Sequence, residues 1–398
     1  MKKTLLLVLS LMLSVGLLAG CGNNEESTTD EGASSGDTVK IGLNYELSGA
    51  TATYGEDSVK GIELAIEEIN ANGGIDGKTI ELVKIDNKSE TSEATSVATK
   101  LIDQEGVVSI LGPATSGAFK ATIPVAESKQ VPIISASATA DDVTTNDGEA
   151  YQYVFRTCFS DSYQGSVMAT FASENLGATK AVIIQDTSSD YAKGLAENFQ
   201  TTFEEAGGEI VASEGYVSGD TDFKSILTKI KNNEFDVIYL PGYYSEVGLI
   251  VKQARDLGID APVLGGDGFD SPTLLELAGA DALNNIYFTN HYSAVDQDPK
   301  VVEFQAAFKE KYNTDASAFN ATGYDLGYFI ADAIDRADST DPQAIQEALA
   351  STENFEGVTG TITVDELHNA IKSIVVIGLE NGVQASAEKI SAETTEAE

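Results

Sequence analysis

Apolar runs and amphipathic stretches alternate along most of this chain, and that alternation limits the folds open to it. The run 39–45 reads as a strand. The segment after it sets Val59, Ile62, Ile66 and Ile69 at helical spacing and stops at Asn72-Gly73-Gly74. The pattern continues with a strand at 79–86, a helix over 90–105, and strands near 107–111 and 131–135 with a helix containing Phe119 between them. A second series follows 153–157, with a helix over 162–176, a strand at 181–186, a helix over 190–206 and a strand at 209–217. It goes on through a strand at 236–242, a helix over 245–257 and strands at 262–266 and 285–290. Residues 300–336 read as mostly helical, and "TITVD" and "SIVVIGL" as closing strands. Repeated strand–helix units predict parallel sheets covered by helices on both faces. Two series predict an α/β fold of two doubly wound lobes. No Gly/Ser-rich segment separates them, so the connections are expected to be short and hinge-like.

The ends of the chain belong to a different regime. Lys2 and Lys3 precede an apolar run from Leu5 to Ala19, shorter than the ~20 residues of a comfortable membrane span. Residues 1–20 therefore read as a secretory signal peptide. Its end, Leu18-Ala19-Gly20-Cys21, resembles a bacterial lipobox, in which the cysteine thiol is alkylated by a diacylglycerol before cleavage; a plain secretory signal with a chance cysteine is the alternative. Residues 21–38 hold almost nothing that could be buried and read as a lipidated, flexible tether. Residues 384–398 read as a disordered tail. This places the protein on the extracytoplasmic face of a bacterial cell membrane, held by lipid at Cys21.

Charge and cysteine content narrow the function. The formal charge of −39 disfavours nucleic acid and bare anionic lipid as partners. With Cys21 lipidated, Cys158 is the one cysteine left, so no disulfide scaffold is open to the mature chain. No histidine or lysine lies near Cys158 in sequence, which favours a buried structural thiol over a reactive one. The segment "GGIDGKT" (73–79) resembles a phosphate-binding loop but has Asn72 where the pattern needs glycine. It also leads from a helix into a strand, the reverse of the required order. His291 and His368 are the only histidines and neither sits in a spaced metal-ligating cluster, so no metal is expected. No G-x-S-x-G elbow and no G-x-G-x-x-G after the first strand is present, and no cofactor is expected. A pair of catalytic carboxylates, as in a surface hydrolase, stays open.

What remains is a set of polar loops, each at a strand's carboxyl end, where open α/β sheets bind ligands. They are 45–55, 112–117, 135–142, 186–191, 242–246 and 265–270, rich in hydroxyls, backbone donors and tyrosines. In 110–126 a strand breaks at Gly112-Pro113 and restarts as a helix after Thr115 and Ser116. Hydroxyls at a helix N-terminus make a seat for an anion. The three loops of the first series carry no lysine or arginine. A phosphate or dicarboxylate would usually recruit arginine, whereas a single carboxylate held by N–H and O–H groups needs none. Asp267 is the most centrally placed acid. Ser116 and Thr139 also fit ordinary helix N-caps, Asp267-Gly268 fits a turn pair, and Tyr191 and Tyr243 fit packing under loops.

In order along the chain, "LSGATATYG", "GIELAIEEINANGGIDGKTIELV", "LGPATSGA", "ISASAT", "DYAKGL", "DVIYLPGYYSEVG", "LGGDG" and "DQDP" resemble the branched-chain amino acid binding proteins of ABC importers, of the type I periplasmic-binding fold. The resemblance implies two lobes joined by three crossovers: a first lobe of 39–157 plus about 291–337, and a second of 158–290 plus about 338–383. It implies that Ser116 and Thr139 hold an α-carboxylate. Ser137 and Ala138 lie beside a carbonyl that accepts from the α-ammonium, and Asp267 pairs with that ammonium. Tyr191 and Tyr243 close over the ligand, and Tyr54 flanks the side-chain pocket at a position often held by tryptophan. It further implies no enzyme activity, an aliphatic amino acid such as leucine, isoleucine or valine as ligand, delivery to a permease with an ATPase, and a monomer. The same fold binding another small amino acid, an amide or urea, or serving a sensory partner, is the alternative.

The lipobox reading has a direct check. Cys21→Ala is expected to leave the protein unprocessed or freely released. Recovery of the variant in carbonate-washed membranes at the wild-type level would contradict the anchor.

Overall fold

The computed structural model describes residues 38–391. In its first half, β1 (Thr38–Tyr45), β2 (Thr79–Asp86), β3 (Ser109–Leu111), β4 (Ile133–Ser135) and β5 (Val154–Arg156) form a five-stranded sheet in the order β2-β1-β3-β4-β5. Every pairing in it is parallel. The next series, β6 (Lys180–Asp186), β7 (Glu209–Tyr216), β8 (Val237–Tyr239), β9 (Val263–Gly265) and β10 (Ile286–Asn290), repeats that order as β7-β6-β8-β9-β10. Two further strands, β11 (Ile374–Glu380) and β12 (Val383–Ile390), add antiparallel to its far edge and make seven. In each sheet the chain steps one way from its first strand to its second and the other way to its third. The loops at that reversal are left uncovered at the strands' carboxyl ends. The two doubly wound α/β sheets expected from the sequence are therefore present.

The central strands β3, β4, β8 and β9 are buried along their whole length, which is why they read as continuous apolar runs rather than alternating ones. Helices α1 (Ala52–Ala71), α2 (Thr91–Lys100) and α3 (Ser116–Lys129) connect the first sheet. The second is connected by α4 (Asp161–Thr170), α5 (Asp190–Glu205), α6 (Lys224–Ile230), α7 (Tyr244–Asp256) and α8 (Pro272–Ala278). Cys158 is fully buried, and burial pushes its thiol up to about 12, so it is the inert structural cysteine expected. No helix among the described residues is long and apolar enough to cross a membrane. Residues 1–37, including Cys21 and nearly all of the tether, and the last residues of the tail lie outside the described region.

After β10 the chain returns to the first sheet as α9 (Pro299–Tyr312), α10 (Ala318–Ala337) and α11 (Pro342–Ala350). Here the structure corrects the expected boundary at about 338. Arg336 on α10 donates to Ala348 O and Thr352 Oγ1, both at 2.7 Å, tying α11 to α10. Asp325, buried on α10, accepts from the amides of Val358 and Thr359 at 2.7 and 2.9 Å. The His368 ring stacks on Phe155 of β5 at 4.1 Å. Residues 338–371 thus stay with the first sheet, and the chain rejoins the second only at β11. The expected tail is also corrected over 384–390. Residues 383–390 are strand β12, paired with β11 from Val383 to Ile390. Its side chains are almost all exposed, so backbone pairing at a sheet edge, and not burial, holds it there.

Helix α10 lies against α1 with glycines at the contact. A Cβ on Gly61 would overlap the Asn320 carbonyl, and one on Gly323 would overlap that of Ser58. Both obstacles are backbone and cannot swing aside. Gly323→Ala is expected to destabilise the protein by about 1–3 kcal/mol, the usual cost of overpacking. The check is urea denaturation, where the midpoint should fall with little change in slope. An unmoved midpoint would mean the helices separate at no cost.

Candidate functional site

The reversal loops of the two sheets face each other. On the first side, Thr115 is the N-cap of α3 and Ser116 its first helical residue, yet the Thr115 side chain caps nothing. Its hydroxyl donates instead to Glu46 Oε1 at 2.8 Å, and its amide to the same oxygen at 3.1 Å. The Ala114 amide donates to Glu46 Oε2 at 2.9 Å. The anion seat expected at this helix start is therefore shared. The protein's own Glu46 holds the approach, and the amides of Ser116, Gly117 and Ala118, which have no intrahelical acceptor, remain beyond it. Ser116 Oγ accepts from the Ala140 amide at 3.1 Å, and Ser137 Oγ donates to Ala114 O at 2.9 Å. These bonds join the loops after β3 and β4. Neither Ser116 nor Thr139 is an N-cap.

On the second side, Asp267 opens a single turn after β9 and is 2% exposed. Its Oδ1 accepts from Tyr191 Oη at 2.9 Å and from Gln164 Nε2 at 3.2 Å, and its Oδ2 lies 3.3 Å from His291 Nε2. Gln164 Oε1 in turn accepts from the Asp267 amide at 3.1 Å and from Thr289 Oγ1 at 2.7 Å. The Tyr191 and Tyr243 rings stack at 5.2 Å with 8° between their planes. Across the gap, Tyr54 of α1 donates to Gly268 O at 2.5 Å and accepts from the Tyr244 amide at 3.2 Å. Its ring stacks on Phe319 of α10 at 4.4 Å.

Of the residues expected at the site, Tyr54, Ser116, Ser137, Tyr191, Tyr243 and Asp267 line one small cavity together with Ala114, Thr115, Gly268 and Phe319. Its volume is about 10 Å³, against the ~300 Å³ and more of ordinary small-molecule pockets, so a ligand enters only if the two sides part. Ala138 and Thr139 are fully buried behind this lining. Ala138 O accepts from Cys158 Sγ at 3.3 Å, and the Thr139 hydroxyl lacks a well-formed hydrogen bond. Sequence reasoning missed Glu46, Gln164 and Phe319, and considered His291 only as a ligand or base. An acid immediately after a buried strand was a signal for Glu46. Nothing local marks Phe319, which arrives from more than 250 positions beyond Tyr54.

A family model described as periplasmic binding protein matches residues 38–384. The chain belongs to the periplasmic binding protein family. It is 32% identical, over 83% of its length and 86% of the relative's, to the leucine-, isoleucine-, valine-, threonine- and alanine-binding protein of Pseudomonas aeruginosa. Among solved structures it resembles the branched-chain amino acid transporter substrate-binding protein LivJ of Streptococcus pneumoniae, determined with isoleucine. That match has 45% identity and a TM-score of 0.84, covering 89% of this chain and 99% of the other. The leucine-binding protein LivK of Thermotoga maritima matches at 38% identity and a TM-score of 0.83, covering 89% and 99%. Members of this family capture solutes for transport and do not transform them, which sets the hydrolase reading aside.

In this binding protein the electrostatics around Asp267 are those of neutral donors. Burial pushes His291 down to about 4, outweighing the neighbouring carboxylate. The ring is neutral at pH 7, its Nε2–H donates to Asp267, and its Nδ1 has no partner among the described residues. Desolvation holds the buried Asp161 well above the usual carboxylate range. The His291 shift has a thermodynamic consequence with a definite sign. Between pH 6.5 and 4 the unfolded chain binds a proton at this position that the folded chain does not, so its contribution to stability falls as pH falls through that window. The full shift is worth at most about 3 kcal/mol. Unfolding free energies of wild type and His291→Gln at pH 7.5 and 4.5 isolate it. The variant is expected to lose less on acidification, and equal losses would show that His291 titrates alike in both states.

Proposed function

We propose that this protein captures a free aliphatic amino acid of the leucine, isoleucine and valine class between its two lobes and hands it to a membrane permease driven by an ATPase. The single observation that carries the reading is the polarity of the cavity. At one end is Asp267, buried and met only by neutral partners. At the other is the Ser116 hydroxyl beside the unpaired amides that start α3. An α-ammonium complements the first and an α-carboxylate the second, while Tyr54, Tyr243 and Phe319 offer apolar surface for the side chain. In this reading Thr139 assists Ser116, the Ser137–Ala138 segment supplies a carbonyl to the ammonium, and Tyr191 and Tyr243 cover the ligand. The relatives named for leucine, isoleucine and valine support it. The protein acts as a monomer on the extracytoplasmic face, anchored by lipid at Cys21, and the sequence Leu18-Ala19-Gly20-Cys21 supports that anchor.

Asp267→Asn tests the reading with almost no change of shape. A hydrogen bond to a charged group contributes ~1.5–3 kcal/mol, so leucine binding is expected to weaken by at least about tenfold. Calorimetric titration with leucine and with 4-methylpentanoate, which lacks the amine, is the measurement. Wild type should discriminate strongly between the two and the variant much less. Leucine affinity within about twofold of wild type would leave Asp267 a turn residue and move the ammonium partner elsewhere. Preference for glutamate over leucine would overturn the aliphatic assignment.

A further inference from the structure

Behind the amino-acid cavity, where the chain passes between the sheets after β5 and again before β11, lies a separate cleft of about 580 Å³. Two buried cations form part of its wall. Arg156, the last residue of β5, is 2% exposed, and Lys372 on the return crossover is 3% exposed. Among the described residues neither has a carboxylate within 4.0 Å. In a chain with 63 acidic and 24 basic residues, partners are not scarce. Arg156 Nη1 donates to Thr139 O and Ala140 O at 2.8 and 2.9 Å, and its buried Nε has no acceptor among the described residues. Lys372 Nζ donates to Thr359 Oγ1 at 2.6 Å, and its other two protons have no acceptor among the described residues. Burial brings Lys372 down to about 8, which leaves it charged at neutral pH. Counter-charge reaches them at a remove, Asp325 acting on Lys372 through the shared Thr359 hydroxyl and the buried Asp161 acting on Arg156, so much of the cost of burying each cation stands. The cleft also carries the Ser160 and Ser162 hydroxyls, 2.8 Å apart at the start of α4, whose dipole points its positive end there. Its two acids are already engaged. Asp141 accepts from the Ser162 amide and Asn198, and Asp365 from the amides of Leu367 and Asn369.

We infer that this crossover cleft is a second binding site, for a small inorganic oxyanion of the phosphate or sulfate class, held by Arg156, Lys372 and the Ser162 hydroxyl. None of its lining residues lines the amino-acid cavity; the two meet through Arg156 on the Thr139–Ala140 segment and through Phe159, which stacks on His291 beside Asp267. It does not depend on which amino acid the front cavity takes.

The test is calorimetric titration of the full chain with inorganic phosphate and with sulfate at constant ionic strength, chloride replacing the anion in the control. Wild type is expected to bind one oxyanion saturably and to show a raised thermal midpoint in its presence. Lys372→Gln, which touches none of the Thr139–Ala140 contacts, should weaken that binding by about tenfold or more, the scale of one charge-assisted bond. Arg156→Gln should do the same, and leucine titration of each variant reports whether the front cavity is intact. Non-saturable heats in wild type, a chloride response equal to that of phosphate, or unchanged phosphate affinity in a folded Lys372→Gln protein would overturn the assignment.

Discussion

The phenol of Tyr54 joins the two halves of the molecule directly, donating to Gly268 O and accepting from the Tyr244 amide. Lys120 adds a bridge at the surface, reaching Asp142 at 2.6 Å on its own side and Asp190 at 3.0 Å on the other. The bonds at Tyr54 are neutral and buried, so each contributes about 1 kcal/mol net, and the exposed ion pair contributes less. Tyr244 Oη and Ser245 Oγ also donate across the gap, both to Ala50 O, at 3.1 and 3.3 Å, and each of these contacts is weak on its own. A solute that touches both sides adds its own differential affinity and shifts the population towards closure. A binding protein requires such a balance, because a clamp held shut by several kcal/mol would tax the affinity of any ligand that must enter.

Much of this architecture was legible because burial on both faces of a parallel sheet leaves uninterrupted apolar runs. The strand at 79–86 falls where its pattern places it, and the six polar loops singled out by their position after strands include most of the cavity lining. What was hidden depends on pairing between distant segments. Strand β12 reads as a frayed tail because its side chains face water and its stability lies in backbone bonds to β11. The segment 338–371 could not be assigned to a lobe by periodicity. Its attachment rests on Asp325 receiving two amides from the Val358–Thr359 turn and on Arg336 reaching the end of α11. Glu46 escaped notice because its role lies in filling part of a helix N-terminus that sequence alone presents as vacant.

Glu46 also shapes what the front cavity can accept. A buried carboxylate at the start of α3 takes up two amides and a hydroxyl that an incoming anion would otherwise use. Burial raises its pKa, and those three donors oppose the rise. The remaining donors suit one small carboxylate. The wall on the side-chain end is aromatic, with no lysine or arginine among the lining residues. An ionised side chain placed there would be desolvated without a partner, at a cost of several kcal/mol or a forced change of protonation. On the proposed reading, selectivity for an uncharged side chain would follow from what the wall omits as much as from what it offers. The cations this chain does bury, Arg156 and Lys372, stand behind the crossovers, beyond the reach of a ligand side chain in the front cavity.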